Sequence, residues 1–148
     1  MFSANHFIWL ALCAVLVIVG VVLAVKFSLS MEKALTIMCI VSILSEAAKI
    51  FPVLIEGQRL NEYGAFIKES DLPFHLCSLQ MFFLAYAKLT KNEKNRESMI
   101  RFIIPTASLG ATAALLIPTI TLSFANVRTY QYFLFHAALI WFAVYALC

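Results

Sequence analysis

The chain has 148 residues, 63% of them apolar and only 13% charged, with a formal charge of +3. Soluble domains carry about 45–50% apolar and about 25% charged residues, so this composition excludes an ordinary soluble fold. It equally excludes a disordered chain or a disulfide scaffold, and the small, spread-out charge gives no footprint for nucleic acid.

An integral membrane protein remains, and five stretches are long and apolar enough to cross about 30 Å of hydrocarbon. The expected fold is an all-α transmembrane helix bundle with spans at about 6–25, 34–55, 72–89, 99–124 and 129–148, forming a single domain over 1–148. The leader Met1–Asn5 has no Lys or Arg and the apolar run after it exceeds an h-region, so span one reads as an uncleaved helix. The connectors 27–33, 56–71 and 90–98 are short and polar.

Alternate loops differ in basic residues. Lys26, Lys33, Lys88, Lys91, Lys94, Arg96 and Arg101 fall on one side, and Arg59, Lys68 and Arg128 on the other. The positive-inside rule therefore places the N-terminus outside, the Lys91–Arg96 loop in the cytoplasm and Glu56–Asp71 outside. The end Tyr145-Ala146-Leu147-Cys148 has no polar anchor, which suggests a piece of a longer chain.

The informative residues are those that hydrocarbon disfavours. An ionisable side chain at the centre of a span costs about 2.5–3.5 kcal/mol on insertion scales. Span two carries Glu46 and Lys49 three residues apart on one helix face, where they can pair. Span three opens Leu72-Pro73-Phe74-His75-Leu76-Cys77-Ser78-Leu79-Gln80, with Pro73 suited to a first helical turn. Span five carries His136, and span four has Thr119 and Thr121 just after Pro118, which withholds a hydrogen bond from the carbonyl of Ala114.

Counted at ~1.5 Å per residue from the outer ends, Lys49 and Glu46 lie roughly 9 and 14 Å deep. His75, Cys77, Gln80 and His136 lie roughly 5, 8, 12 and 11 Å deep. Scattered packing groups have no reason to share one depth, whereas a common outer-half pocket requires it. Below Pro118, Ala107, Gly110, Ala111 and Ala114 form a small-residue strip that reads as a close helix contact. The four cysteines show no metal-ligand spacing, and neither a metal nor a cofactor is expected.

Three stretches, Leu72-Pro73-Phe74-His75-Leu76-Cys77, Ala114-Leu115-Leu116-Ile117-Pro118 and Tyr132-Phe133-Leu134-Phe135-His136, resemble in order the signatures of the bacterial YwaF-like integral membrane proteins. Glu46 and Lys49 match that family's acidic and basic positions one helix earlier. The resemblance implies six or seven spans in a complete member and no assigned reaction. It also implies a distant similarity to an animal family of membrane lipid acyltransferases that use a Cys and a His. The cysteine of that animal motif directly follows the proline, where this chain has Phe74. Cys77 is the substitute nucleophile, and it lies ~200° around a helix from His75, which leaves His136 as its only histidine partner.

Three functions stay open. The first is a lipid-acyl-handling enzyme, with His75 or His136 as base, Cys77 or a water as nucleophile, and Glu46 orienting a histidine. Lys49, Gln80 and Thr119 would hold the head of an amphiphilic lipid drawn from the bilayer. The second is a small-solute or proton-coupled transporter using the same groups. The third is a non-catalytic membrane subunit whose polar groups lock helices together.

Overall fold

In a computed structural model of the chain, residues 4–59, 76–117 and 127–148 are described. They form five helices and no strand: α1 (Ala4–Lys26), α2 (Met31–Arg59), α3 (Leu76–Leu89), α4 (Glu93–Leu116) and α5 (Val127–Tyr145). The all-α expectation holds. Two of the five, α1 and α4, are long and apolar enough to cross a membrane by length and composition. In α2 the apolar run is broken by Ser42, Ser45, Glu46 and Lys49, and only 14 residues of α3 are described.

Local chemistry sets the boundaries. α1 ends as Ser28 turns into the left-handed region at φ 47°, with Leu29 N–H bonding Ala24 O and Ser28 N–H bonding Val25 O. That pair of bonds is a Schellman ending, a position that usually takes glycine. α4 begins at Glu93, six residues before the apolar run at Met99, because the Asn92 side chain caps it by accepting from Asn95 N–H. Arg96 then fastens this polar turn to the end of α3 through Ala87 O and Thr90 O.

α2, α3, α4 and α5 close a ring in which each packs on the next, and α1 lies outside it along α5. Neighbours in the ring are antiparallel. Glu46 meets Ser78 near one end of the α2–α3 pair, and Glu32 meets Lys88 at the other. α1 runs parallel to α5, with Cys13 against Phe133 and Gly20 against Trp141.

The ring's core comprises Leu35, Met38, Leu84, Ile103, Ala107, Ala111, Phe135, Leu139 and Phe142. α4 contributes Ile103, Ala107 and Ala111, one per turn, so the predicted small-residue contact is present, centred on Ala107 and Ala111. A second cluster joins α1 to α5 through Trp9, Cys13, Phe133 and Ala137. The outward faces of α1 and α2 are apolar and exposed, as at Val15, Ile18, Val22, Ile40 and Ile43. Such faces suit contact with lipid chains.

Candidate functional site

One stripe of α2 faces the ring from Ala34 to Glu46 and changes character along the way. Ala34, Leu35 and Met38 are buried and apolar, whereas Ser42, Ser45 and Glu46 are buried and polar. These positions follow helical spacing, so a single face turns from a hydrocarbon core into a polar layer within about two turns. The polar half belongs to the end of the bundle that carries the starts of α1, α3 and α5.

Glu46 is the centre of that layer. Its Oε2 lies 2.7 Å from Lys49 Nζ, with the two side chains only 10% and 12% exposed. Its Oε1 accepts a hydrogen bond from Ser78 Oγ on α3 at 2.7 Å. A buried carboxylate is tolerable when an opposite charge and a hydroxyl both reach it, as they do here. One turn away, Ser45 Oγ accepts from Gln131 Nε2 of α5 at 2.7 Å. Ser42 Oγ donates back to Met38 O. Gln80, fully buried, donates from Nε2 to Thr106 Oγ1 of α4 at 2.9 Å. All four ring helices thus contribute to polar contacts in this half of the bundle.

His136 forms a separate group. Its Nδ1–H donates to Tyr132 O, one turn earlier on α5, at 2.6 Å, and its ring lies 4.4 Å from that of Tyr132. In a neutral imidazole this fixes the proton on Nδ1 and leaves Nε2 as an acceptor. No hydrogen bond joins His136 to Glu46 or to Cys77 among the described residues. His136 is five residues from Gln131, ~140° around α5, so it turns away from the α2 layer.

Of the groups singled out in the sequence, the structure brings together Glu46 and Lys49, with Ser78 as their partner on α3. Cys77 is half-buried and packs against the apolar core of the ring. Gln80 faces α4, and its Oε1 is buried without a hydrogen-bond partner among the described residues. Among the described residues, Lys49 and Ser78 reach the Glu46 carboxylate, and Tyr132 O accepts from Nδ1 of His136. His75 and Thr119 lie outside the described residues.

Sequence reasoning passed over Ser45, Ser78, Gln131 and Thr106. Extending the Glu46–Lys49 face back by one helical turn would have found Ser42 and Ser45. It also passed over His6, which is fully buried and donates from Nε2 to Leu115 O at 2.7 Å. Its place at the first turn of a span made it look like a boundary residue.

No curated protein and no solved structure matches the chain. A family model does, over residues 1–148, and the chain belongs to the TMEM164 family, a membrane protein family.

Proposed function

We propose that residues 1–148 form a single five-span membrane domain whose polar layer takes the head of an amphiphilic lipid and handles its acyl ester. The N-terminus is placed outside and the Lys91–Arg96 loop in the cytoplasm, by the unequal share of Lys and Arg between alternate loops. The polar layer then sits in the outer half of the bilayer.

The observation that carries this reading is the buried Glu46–Lys49 pair with Ser78 on the next helix, 2.7 Å from the carboxylate at each contact. One ion pair suffices to lock two helices. A layer that also includes Ser45, Gln131, Gln80 and Thr106 supplies more polar groups than a lock requires, at the depth where a lipid head enters. Lys49 has three N–H donors and spends one on Glu46, which leaves others for a head-group oxygen. His136, with its acceptor nitrogen fixed, is the candidate base.

Acyl chemistry rests on the resemblance to the YwaF-like proteins and, through them, to lipid acyltransferases. Phe74 at the expected cysteine position moves the nucleophile to Cys77 or to a water. His75 and Thr119 complete the proposed set, with Gln80 beside the ligand. In liposomes of a phospholipid ester, the purified protein is expected to release or transfer fatty acid. His136→Ala should abolish this while the melting temperature is kept, and turnover that persists in His136→Ala overturns the assignment.

A second reading, proton-coupled movement of a small solute, is favoured by the carboxylate itself, since Glu46 is a titratable group inside a bundle. It predicts pH-dependent flux in proteoliposomes that Glu46→Gln abolishes.

A further inference from the structure

α1 packs along α5 and not along α2, its neighbour in sequence. The two helices are joined by the turn at 27–30, and both pack on α5, which forms the floor between them. The crevice between them holds about 240 Å³ and is lined by Leu16, Gly20, Ile37, Ala137, Ala138 and Trp141. Its floor residues Gly20, Ala137 and Ala138 are small, while Leu16 and Ile37 on its rim are exposed. The slot is apolar and opens sideways, in the direction of hydrocarbon.

The closed end of the slot carries positive charge. Lys26 ends α1 and Lys33 stands in the first turn of α2, and both are exposed. Among the described residues neither forms an ion pair, because the adjacent Glu32 is held by Lys88. Lys33 is four residues from Ile37 and Lys26 six from Gly20, or ~6 and ~9 Å along the helix axes. The N-terminus of α2 adds the positive end of its dipole at the same place. An apolar slot whose closed end has two unpaired ammonium groups matches a molecule with a long hydrocarbon chain and a negative head.

We propose that this crevice binds one anionic phospholipid from the leaflet facing the α1–α2 turn. One acyl chain lies in the slot against Trp141, and the phosphate sits between Lys26 and Lys33. A zwitterionic lipid fills the slot as well but gives the lysines no net charge to hold. The site is at the opposite end of the bundle from the polar layer, and it rests only on the membrane location of the chain.

The two tryptophans make the test direct. With Trp9→Phe, Trp141 is the sole indole, and the full chain is placed in phosphatidylcholine vesicles containing chain-brominated phosphatidylglycerol or chain-brominated phosphatidylcholine. Bromine quenches an indole it touches. Brominated phosphatidylglycerol is expected to quench at a mole fraction at least about fivefold lower than the zwitterionic lipid, since each lysine near anionic lipid contributes about 1 kcal/mol. Lys26→Gln with Lys33→Gln should remove that preference. Ala138→Leu, which fills the slot, and Leu16→Phe, which narrows it from the exposed rim, should each weaken quenching by both lipids. Equal quenching by the two lipids in the parent overturns the proposal. So does a preference that survives the loss of both lysines, or quenching that neither slot variant changes.

Discussion

Tyr132 Oη donates a 2.6 Å hydrogen bond to Ala114 O, a carbonyl of the last turn of α4. The last turn of a helix leaves four carbonyls without partners, and inside a membrane no water is at hand to take them. Here Ile117 N–H takes Ala113 O, Tyr132 takes Ala114 O and His6 takes Leu115 O. The end of α4 is therefore tied to α5 and to α1 by one side chain from each. Tyr132→Phe keeps the ring against His136 but strands the carbonyl, and should lower stability by about 1–3 kcal/mol. Thermal unfolding in detergent checks this against Tyr130→Phe, which removes the hydroxyl of an exposed tyrosine and should change little.

The Glu46–Lys49 pair gives an asymmetric prediction. Removing one member leaves the other charged and buried, at a cost of roughly 3–5 kcal/mol for a broken buried pair. Replacing both, as Glu46→Leu with Lys49→Met, removes two desolvated charges at once and should be milder than either single change. A full double-mutant cycle on unfolding free energy tests it. Simple additivity of the two single changes would mean that the 2.7 Å contact carries no coupling.

Position along a helix axis is legible in the sequence and azimuth is not. Counting ~1.5 Å per residue gives how far along its helix each of Glu46, Gln80 and His136 stands, and it needs only the helix rise. The direction in which a side chain then points depends on which neighbour the helix packs against. That is why the Glu46–Lys49 contact, within one helix, is readable from spacing, whereas the contacts of Glu46 with Ser78 and of Ser45 with Gln131, across helices, are not. Pro118 lies outside the described residues, and the end of α4 at Leu116 is by itself enough to free Ala114 O. Its partner Tyr132 could not be read, since that contact spans two helices. The all-α bundle followed from composition. The placement of α1 outside the ring did not, because an almost uniformly apolar helix offers no preferred face to read.

Gln80 should tolerate the loss of its amide. Thr106 Oγ1 spends its proton on a backbone carbonyl of its own helix, Phe102 O at 2.8 Å, so it can only accept from Gln80. That fixes the amide with Nε2 on Thr106 and Oε1 buried without a partner among the described residues. Gln80→Leu removes an unsatisfied acceptor and leaves Thr106 bonded, so the melting temperature should stay level or rise. If Gln80 contacts the lipid head as proposed, the same variant loses ester turnover while gaining or keeping stability. A clear fall in melting temperature would assign the amide to structure.

The contact between Glu32 and Lys88 at the other end of the bundle should make stability depend on acid. The hydrogen bond from Lys88, and then its charge, hold the Glu32 carboxyl below its ordinary value of 4.5. A group whose folded value is lowered contributes its stabilisation above the unfolded value and loses it as pH falls through the folded one. Glu32→Gln should therefore melt below the parent at neutral pH, and the difference should close as the pH drops below 4.5. Salt should narrow it at neutral pH as well, because Glu32 is fully exposed and such pairs are screened. A gap unchanged between neutral and strongly acid solution would assign the effect to something other than this pair.

Gly20 brings α1 into close approach with α5 at Trp141. A Cβ there would lie 2.8 Å from Trp141 Cδ1 and 3.0 Å from Nε1, inside van der Waals contact with a ring that stacks on Tyr145. The indole has little freedom to yield, since Tyr145 is itself held by a hydrogen bond to Leu29 O in the α1–α2 turn. Gly20→Ala must then push α1 outward, at a cost of about 1–3 kcal/mol for overpacking, despite the better helix propensity of alanine. Gly110→Ala, at a half-buried position of α4 remote from Trp141, tests propensity apart from that contact and should leave stability level or raised. If both variants gain stability alike, α1 is not seated against Trp141 in the membrane. If only Gly20→Ala loses it, and Trp141→Leu restores the loss, the close approach is what fixes α1 on the ring.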